Sequence, residues 1–473
     1  MCGNLILPLD RHYGFLLVLL QLHFTTRQSN FTKKFHKTIG MNFKSYINCI
    51  RIEKNRKGNI QIKLTDKSGR PVAGKRVKIL QKSHDFKFGA NLFMLKGFET
   101  ERENAEYEKA FKELFNLATV PFYWNTLEPE QGKPRFSEDS PFILRRPPTD
   151  LCVEFCEKQG IAPKLHCLVY DNYIPDWLPK GDMKQMEYYY EKRVSEIAER
   201  YAGRMYEFEV INETLSTRWW HNQSVISGRR DVVEWAFALA KKYLPNEKLI
   251  INDGYPLAEA AIMNYRSTYF LQLEKCLLNK TPIDKIGTQH HIFVGNTART
   301  EEEYDASVRE HLNEGSPLMH LKALDVLAEL GLPLELTELT IPTFGDTAED
   351  EELQAELVRI IYSVWFSHPA VESVVYWNLV DGCAFKSENA DWYCDENNCR
   401  GGFYHRDLTP KKSALMLSWL INGEWRTEKQ EITDKNGCIN LRGFYGDYSL
   451  EIDGEKYGFG LHKNGDKAAE LVV

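Results

Sequence analysis

The sequence predicts an α/β fold, a (β/α)8 barrel that carries a small accessory β domain formed by the N- and C-terminal segments. In the central part of the chain, short apolar strand patterns alternate eight times with amphipathic helical patterns. The alternation extends over about 330 residues, and a doubly wound sheet rarely needs eight consecutive parallel strands. Both ends of the chain instead carry the alternating patterns and tight turns of antiparallel strands.

Composition excludes several classes of protein. The chain has 473 residues, of which 43% are hydrophobic, and its 60 Lys and Arg against 67 Asp and Glu give a net charge of −7. This balance excludes a basic nucleic-acid coat and a disordered acidic tail. The 10 cysteines are too sparse for a disulfide scaffold, and neither a CxxC pair nor a Cys/His zinc spacing occurs.

Residues 1–40 differ from the rest of the chain. Phe15 to Phe24 is an apolar run long enough for a secretory signal but too short for a bilayer, which needs about 20 apolar residues. No small-x-small cleavage site follows it, and the second methionine is Met41. We therefore expect either a mis-assigned start or an export signal. The protein is secreted or periplasmic in the second case and cytoplasmic otherwise.

The terminal segments 41–84 and 422–473 are predicted to pair into the accessory β domain. Ile52 to Leu80 contains short alternating runs interrupted by KG, SGRP and AG turns. Glu431 to Leu461 carries the same alternation with NG, YGD and DG turns. We expect a structural role for this domain rather than carbohydrate binding.

The catalytic barrel is predicted to occupy residues 85–421. Its strand candidates are Phe86–Asn91, Asn116–Tyr123, Ala162–Val169, Tyr206–Asn212, Lys248–Asn252, Lys285–His291, Pro333–Glu338 and Ser373–Leu379. The helix candidates are Glu106–Phe115, Thr149–Lys158, Met186–Tyr201, Asp231–Tyr243, Ala258–Leu278, Leu318–Leu330, Glu351–Phe366 and Lys412–Ile421. In such a barrel the chemistry lies at the carboxyl ends of the strands.

Two carboxylates close predicted strands on opposite sides of the barrel mouth. Glu213 ends FEVINE at the fourth strand, and Glu338 ends PLELTE at the seventh. Cleavage of a glycosidic bond uses such a pair, one as proton donor and one as nucleophile, about 5–5.5 Å apart in retaining enzymes. A strand-end glutamate can also be a surface residue or half of an ion pair. The presence of two, each preceded by a hydrogen-bonding residue, favours catalysis.

Neighbouring polar residues suggest how the pair is tuned. Asn212 can donate to a sugar hydroxyl, and His291 can donate to Glu338 and keep it ionised. Glu213 then needs a pKa raised by burial and by the charge of Glu338. His290 and His291 are adjacent on a strand and point to opposite faces, which disfavours a paired metal chelate. We expect no metal and no cofactor.

Aromatic residues offer platforms for sugar rings in three places, although any of them can equally be core. They are Tyr123 with Trp124, Trp219 with Trp220, and Trp377 with Phe385 and Trp392. The polar loop from Asn389 to Phe403 is long enough to act as a lid. Cys394 and Cys399 within it can form a disulfide if the protein is exported.

These residues resemble glycoside hydrolase family 10, the (β/α)8 endo-1,4-β-xylanases. The family patterns WDVVNE, GIGxQxH, LPxxxTELD and TxWGxxD are matched by FEVINET, KIGTQHH, LPLELTELT and VYWNLVD, and PKKSAL is similar to the closing PKPAY segment. The similarity covers about residues 85 to 420, with order and spacing largely preserved.

The resemblance implies residue roles. Glu213 would be the acid/base and Glu338 the nucleophile, and the flanking subsite residues would be Asn212, His166, Gln289, His291 and Trp377. Departures lie on the glycone side, which binds the sugar whose anomeric carbon reacts. Tyr123 stands in place of a family lysine, Tyr170 and Asp171 in place of Trp and His, and Phe385 in place of a second Trp. We therefore expect a less polar, more aromatic glycone pocket.

The sequence thus predicts a retaining hydrolase that cleaves β-1,4-linked xylan, or a decorated xylan, by double displacement. Two alternatives are a catalytically impaired glycan-binding barrel and a β-glycanase for another β-linked polysaccharide. A metal-dependent hydrolase using His166, His291 and Asp253 is disfavoured because no HxH pair occurs on one strand. The expected partner is a polysaccharide or oligosaccharide. We expect a monomer that binds no nucleic acid and has no stable membrane span.

Overall fold

The computed structural model describes residues 47–217, 222–254, 257–293, 317–343, 345–386 and 395–473. The leader predicted for residues 1–40 lies outside these ranges. None of the helices in the described ranges has the length and apolar character needed to cross a membrane.

The described strands divide into a central barrel and two small sheets. In chain order they are β1 (Lys57–Thr65), β2 (Arg76–Gln81), β3 (Lys87–Asn91), β4 (Leu117–Pro121), β5 (Ala162–Val169), β6 (Glu207–Asn212), β7 (Leu249–Asn252), β8 (Lys285–His291), β9 (Leu334–Thr340), β10 (Val371–Tyr376), β11 (Glu428–Ile432), β12 (Cys438–Phe444), β13 (Gly446–Ile452), β14 (Glu455–Leu461) and β15 (Ala468–Val472). Strands β3 to β10 form a closed barrel. Each pairs in parallel with the next, and β10 closes the barrel on β3 with Ser373 opposite Lys87. The predicted fold class is confirmed.

Helices pack around the barrel between successive strands. They are α1 (Glu101–Leu114), α2 (Thr149–Gln159), α3 (Met183–Tyr201), α4 (Val232–Tyr243), α5 (Leu257–Met263), α6 (Thr268–Leu278), α7 (Pro317–Ala328), α8 (Ala348–Ser367) and α9 (Lys412–Trp419). Helix α1 begins at a capping box, in which Thr100 and Glu103 satisfy each other's backbone N–H groups, and it buries Tyr107 and Phe111. The single helix predicted over 258–278 is interrupted, because Asn264 adopts a left-handed conformation (φ 52°).

The terminal strands form two sheets that share one apolar core. One sheet has the order β12-β1-β15, and the other has the order β11-β2-β13-β14. Alternate residues of β1 and β2, including Ile62 and Ile79, are buried in the core between them. Trp425 connects this unit to the barrel, since its ring stacks on Phe366 of α8 at a centroid distance of 4.4 Å.

A layer of buried charges fills the barrel interior below the strand ends. Lys164, Lys285, Glu207, Glu209 and Glu335 are all fully enclosed. Lys285 Nζ lies 2.7 Å from Glu207 Oε2 and 3.3 Å from Glu335 Oε2, and Lys164 Nζ lies 3.3 Å from Glu209 Oε2. Each lysine is paired with two of these carboxylates, so the layer forms a charged floor beneath the barrel mouth.

Candidate active site

Glu213 and Glu338 meet at the barrel mouth through a shared donor. The amide nitrogen Nε2 of Gln289, on β8, donates to Oε1 of Glu213 at 3.1 Å and to Oε1 of Glu338 at 3.0 Å. These two oxygens can therefore be no farther apart than the sum of the two distances, about 6.1 Å. That limit for one pair of carboxylate oxygens is compatible with the roughly 5–5.5 Å spacing of the carboxyl groups in retaining glycosidases.

Glu338, at the end of β9, is the more deeply buried carboxylate of the two. Its side chain accepts from Asn252 Nδ2 at 2.9 Å and from Gln289, and its Oε2 lies 3.1 Å from His291 Nε2. Burial raises the pKa of Glu338 well above its usual value; the charge of His166 opposes this shift and that of Glu213 adds to it. The sequence predicted burial for Glu213 and a Glu338 that His291 keeps ionised. The structure buries Glu338 more deeply than Glu213, and this burial raises the pKa of Glu338 in spite of its contact with His291.

Glu213 directly follows β6 and is partly exposed. Its backbone adopts φ 57°, in the left-handed region that non-glycine residues rarely occupy. The hydroxyl of Tyr170 donates to its Oε2, and Gln289 donates to its Oε1. This strained backbone positions the carboxylate toward Glu338 and leaves it accessible from the cleft.

The two adjacent histidines of β8 point in different directions, as alternation along a strand requires. His291 contacts Glu338 through Nε2 and Thr340 Oγ1 through Nδ1, at 2.9 Å. His290 instead packs edge-on against His320 of α7, with ring centroids 4.5 Å apart. Burial lowers the pKa of His291, so its ring is neutral at neutral pH.

Asn212 and Asn252 form an amide pair beneath the carboxylates. Asn252 Nδ2 donates to Asn212 Oδ1 at 3.0 Å as well as to Glu338, and Gln289 Nε2 lies 3.3 Å from Asn212 Oδ1. The Oδ1 atom of Asn212 accepts these hydrogen bonds, and its Nδ2 is the donor that can reach a sugar hydroxyl. Asn252 was noted as a strand-end residue, but its contact with the predicted nucleophile was not anticipated.

His166, on β5, is enclosed and lies between a carboxylate and a phenol. Its Nδ1 lies 2.7 Å from Glu209 Oε1, and its Nε2 lies 3.0 Å from the hydroxyl of Tyr123. Burial opposes protonation, but Glu209 raises the pKa of His166 above its usual value. The ring also packs edge-on against Trp377 at 5.5 Å. The sequence placed His166 in the site, and the structure brings it beside two other predicted residues.

A metal site fits the described residues poorly. Donor atoms of His166, Cys167 and Glu209 lie within 4.8 Å of one another. Both nitrogens of His166 are hydrogen-bonded, however, and Glu209 is ion-paired with Lys164. Burial raises the pKa of the Cys167 thiol, which disfavours the thiolate that a metal needs. The described residues show no grouping of His166 with His291 and Asp253.

An aromatic cluster forms one wall of the site. Phe93, Tyr123 and Trp377 pack together, and Tyr170 and Tyr173 lie against them. Phe93 contacts Trp377 edge-on at 5.2 Å and Tyr123 at 5.8 Å. Tyr123, Tyr170 and Trp377 were predicted. Phe93 and Tyr173 were missed, although Phe93 lies two residues after the end of β3 and Tyr173 lies three residues after Tyr170.

Two predicted aromatic residues of the described part of the chain, Trp124 and Phe385, do not join this wall. Trp124 is buried in the main core against Trp177 and Tyr190, and its Nε1 donates to Glu128 at 3.0 Å, so the prediction of a sugar platform at Trp124 is corrected. Phe385 is 41% exposed and lines a cavity together with Arg145 and Arg146. Trp392 falls outside the described residues, as do Trp219, Trp220 and Cys394.

Asp171, at a position where the resembling family has a histidine, contributes to the framework. Tyr190 donates to its Oδ1 at 3.0 Å, and the Ser224 hydroxyl donates to the same atom at 2.8 Å. The carboxylate thereby fixes the turn after β5 and the segment that follows Asn222. This position stabilises the loops around the site and does not face the carboxylate pair.

Known proteins that resemble this chain match it over most of its length. The family model for glycosyl hydrolase family 10 matches residues 81–413. Anti-sigma-I factor RsgI6 of Acetivibrio thermocellus is 25% identical over 426 residues, which are 88% of this chain and 48% of the relative. Endo-1,4-beta-xylanase 2 of Arabidopsis thaliana is 24% identical over 410 residues, 84% of this chain and 32% of the relative. The chain thus spans less than half the length of these two relatives.

Solved structures show the same fold. Native xylanase 10B from Thermotoga maritima superimposes with a TM-score of 0.53 at 22% identity, covering 72% of this chain and 96% of that chain. At this identity the likeness concerns the barrel itself, while the chemistry depends on the residues described above.

Proposed function

This chain belongs to glycosyl hydrolase family 10, and on that premise we propose that it is an endo-acting retaining glycoside hydrolase that cleaves β-1,4-linked xylan or a decorated xylan. The observation that carries the proposal is the bridge made by Gln289, which holds the oxygens of Glu213 and Glu338 within about 6.1 Å. That spacing suits attack by one carboxylate and proton transfer by the other. Several relatives in the comparison bear the name endo-1,4-beta-xylanase.

In the proposed first step, Glu338 attacks the anomeric carbon while Glu213 donates a proton to the leaving glycosidic oxygen. The C–O bond to the leaving sugar breaks as the bond to Glu338 forms, so a covalent glycosyl-enzyme results. Glu213 suits the proton transfer because it is the partly exposed member of the pair and can reach an incoming substrate. Glu338 suits the attack because three side chains hold it rigidly in place.

In the second step, a water molecule takes the place of the departed sugar, and Glu213 removes a proton from this water. The resulting hydroxide attacks the anomeric carbon, which releases Glu338 and restores the β configuration. Asn212 supports both transition states, since its Nδ2 can donate to the sugar hydroxyl next to the reacting carbon. The aromatic wall of Tyr123, Trp377 and Phe93 supplies apolar faces for the same sugar.

A second candidate is a barrel that binds glycans without hydrolysing them. The observation that favours it is the altered glycone side, where Tyr123 occupies the place of a family lysine and its hydroxyl lies 3.0 Å from Nε2 of His166. One relative is named an anti-sigma-I factor. The intact pair of Glu213 and Glu338 argues against this candidate.

A glycan panel tests the proposal. Purified protein is incubated with linear xylan, arabinosylated xylan, glucuronosylated xylan and mixed-linkage β-glucan, and the products are sized by chromatography. We expect xylo-oligosaccharides of several lengths from the wild type and none from Glu338→Gln. Binding of xylan without release of reducing ends would instead support the second candidate. Release of reducing ends from β-glucan alone would show that the substrate is a β-glucan and not xylan.

A further inference from the structure

Two arginines lie on the glycone side of the site, in the connection between β4 and α2. The guanidinium carbon of Arg146 lies 3.9 Å from the centroid of the Tyr123 ring and 5.1 Å from that of Phe93. Arg145 Nη2 donates to Oδ1 of Asn378, the residue after Trp377, at 3.2 Å. The pocket that the sequence predicted to be less polar is thus aromatic, but it also carries two positive charges.

Neither guanidinium has a carboxylate partner in the described part of the chain. No carboxylate oxygen there lies within 4.0 Å of Arg145 or Arg146. Arg146 Nη1 donates to the backbone oxygen of Arg145 at 2.9 Å, and Arg145 Nε is shielded from solvent without any acceptor. Glu396 attracts Arg146 from beyond ion-pair distance, and its own Oε2 accepts from the backbone N–H of Phe385 at 3.1 Å.

Two arginines of this protein that are buried more deeply than Arg145 and Arg146 are satisfied. Arg193 donates to the backbone oxygens of Leu168 at 3.1 Å and Cys167 at 3.2 Å, and Arg359 is paired with Glu356. A charge that is partly removed from water is destabilised unless an opposite charge compensates it. Burial lowers the pKa of Arg146 to about 10, which leaves it charged at neutral pH. Arg145 and Arg146 therefore form a cationic site that has no anionic partner in the described part of the chain.

The pair also faces a space where a ligand can enter. A cavity of about 290 Å³ is lined by Arg145, Arg146, Ile143, Leu144, Phe385 and Lys386, among others. Arg146 separates this cavity from the aromatic wall, since it also contacts the rings of Tyr123 and Phe93. The cavity thus combines guanidinium donors with the half-exposed ring of Phe385. A guanidinium recognises a carboxylate through paired N–H donors, and an aromatic face suits the C–H surface of a sugar.

We propose that Arg145 and Arg146 bind the carboxylate of a uronic acid unit of the glycan, so that the preferred substrate is a uronate-bearing β-glycan rather than a neutral one. The inference deepens the proposed function and rests on it. Arg146, stacked on Tyr123, would hold the acid group beside the sugar that contacts the aromatic wall. Arg145 would add a second donor from the rim of the cavity.

A matched substrate pair tests the proposal. Glucuronosylated xylo-oligosaccharides are compared with the same oligosaccharides after reduction of the carboxylates to alcohols. This reduction removes the negative charge and leaves the glycosidic linkages unchanged. We expect kcat/KM to be about tenfold or more higher for the acidic form. Arg146→Gln and Arg145→Gln should each bring the ratio of the two kcat/KM values toward one, and Arg146→Lys should give an intermediate ratio because lysine lacks the planar fork.

Lys133→Gln is the matched control variant. Lys133 lies in the same connection and loses the same charge, but it is exposed and paired with Glu130. The ratio should stay at the wild-type value in this variant. A ratio near one for the wild type, or an unchanged ratio in both Arg145→Gln and Arg146→Gln, would overturn the inference while leaving the proposed hydrolysis intact.

A binding measurement separates this inference from the proposed function. Calorimetry on Glu338→Gln compares its affinity for the acidic and the reduced oligosaccharides without turnover. Tighter binding of the acidic form, lost on adding Arg146→Gln, supports the inference even if the wild type hydrolyses neither substrate. Equal affinities for the two forms would overturn it. Thermal unfolding of each variant establishes that it is folded before comparison.

Discussion

The Nδ1 atom of His291 lies 2.9 Å from the hydroxyl oxygen of Thr340, while the other nitrogen of the ring contacts Glu338. The family pattern has an aspartate at the position of Thr340. The buried, neutral ring of His291 carries a single N–H. In the reactive state Glu338 is ionised and can only accept, so the single N–H of His291 then lies on Nε2 and the Thr340 hydroxyl donates to Nδ1. Because a hydroxyl can also accept, the charge of Glu338 selects this tautomer and Thr340 supports it.

Thr340→Val should lower kcat by about three- to tenfold, because the lost hydrogen bond contributes on the order of 1 kcal/mol to this tautomer. Steady-state kinetics on a soluble xylo-oligosaccharide measure the effect. Thr340→Ser is the matched control, since it keeps the hydroxyl, and it should retain most of the activity. Equal activity of the valine and serine variants would contradict a role for the hydroxyl.

Gln289→Glu should move the acid limb of the kcat/KM profile to higher pH by about one unit or more. A third carboxylate between Glu213 and Glu338 disfavours their ionisation, so the pKa of Glu338, already raised by burial, rises further. The nucleophile is then ionised only at higher pH. The pH dependence of kcat/KM measures the shift, and Gln289→Met removes the bridge without adding charge. A shift of equal size in the methionine variant would show that charge is not the cause.

Glu335→Gln should lower the free energy of unfolding by about 3–5 kcal/mol, because it removes a buried carboxylate that is paired with both Lys164 and Lys285. Burial alone would raise the pKa of Glu335, but Lys164 and Lys285 hold it below its usual value. Denaturant titration measures the loss. Glu470→Gln removes half of an exposed pair with Lys63 and should change stability by less than about 1 kcal/mol. Similar losses in the two variants would contradict the role of the buried layer.

Trp425→Ala should lower the free energy of unfolding by about 3–5 kcal/mol, because removal of the indole leaves a cavity between the accessory sheets and the barrel. Trp425 is 1% exposed and stacks on Phe366. Trp419→Ala, at a residue 44% exposed, is the control and should cost far less. Urea unfolding followed by circular dichroism compares the two. Equal midpoints would mean that Trp425 does not couple the two parts.

The barrel could be predicted from the sequence because its physical signals are local. Strands enclosed on both sides are short, nearly continuous apolar runs, and the helices between them keep an apolar face at a 3.6-residue period. The polar residues that end the strands stand out against these runs. Glu213, Gln289 and Glu338 were therefore found together, since a parallel barrel brings all its carboxyl strand ends to one face.

Other parts of the site depend on tertiary contacts that no local pattern reveals. Glu209 and Asn252 lie within buried strands, and only the closed barrel brings them to His166 and Glu338. Arg145 and Arg146 belong to a connection with neither helical nor strand periodicity, so its path over Tyr123 could not be inferred. The prediction for Trp124 was wrong because an aromatic residue after a strand gives the same sequence pattern whether its side chain faces the cleft or the core.

The most direct test of the central claim identifies the residue that bonds to the sugar. The protein is incubated with a 2-deoxy-2-fluoro xylobioside that has a good leaving group, which slows the second step so that the intermediate accumulates, and the digest is mapped by mass spectrometry. We expect a single adduct on the peptide that contains Glu338, absent in Glu338→Gln. An adduct on another residue, or turnover of xylan with inverted products and no adduct, would contradict the assignment of Glu338 as nucleophile.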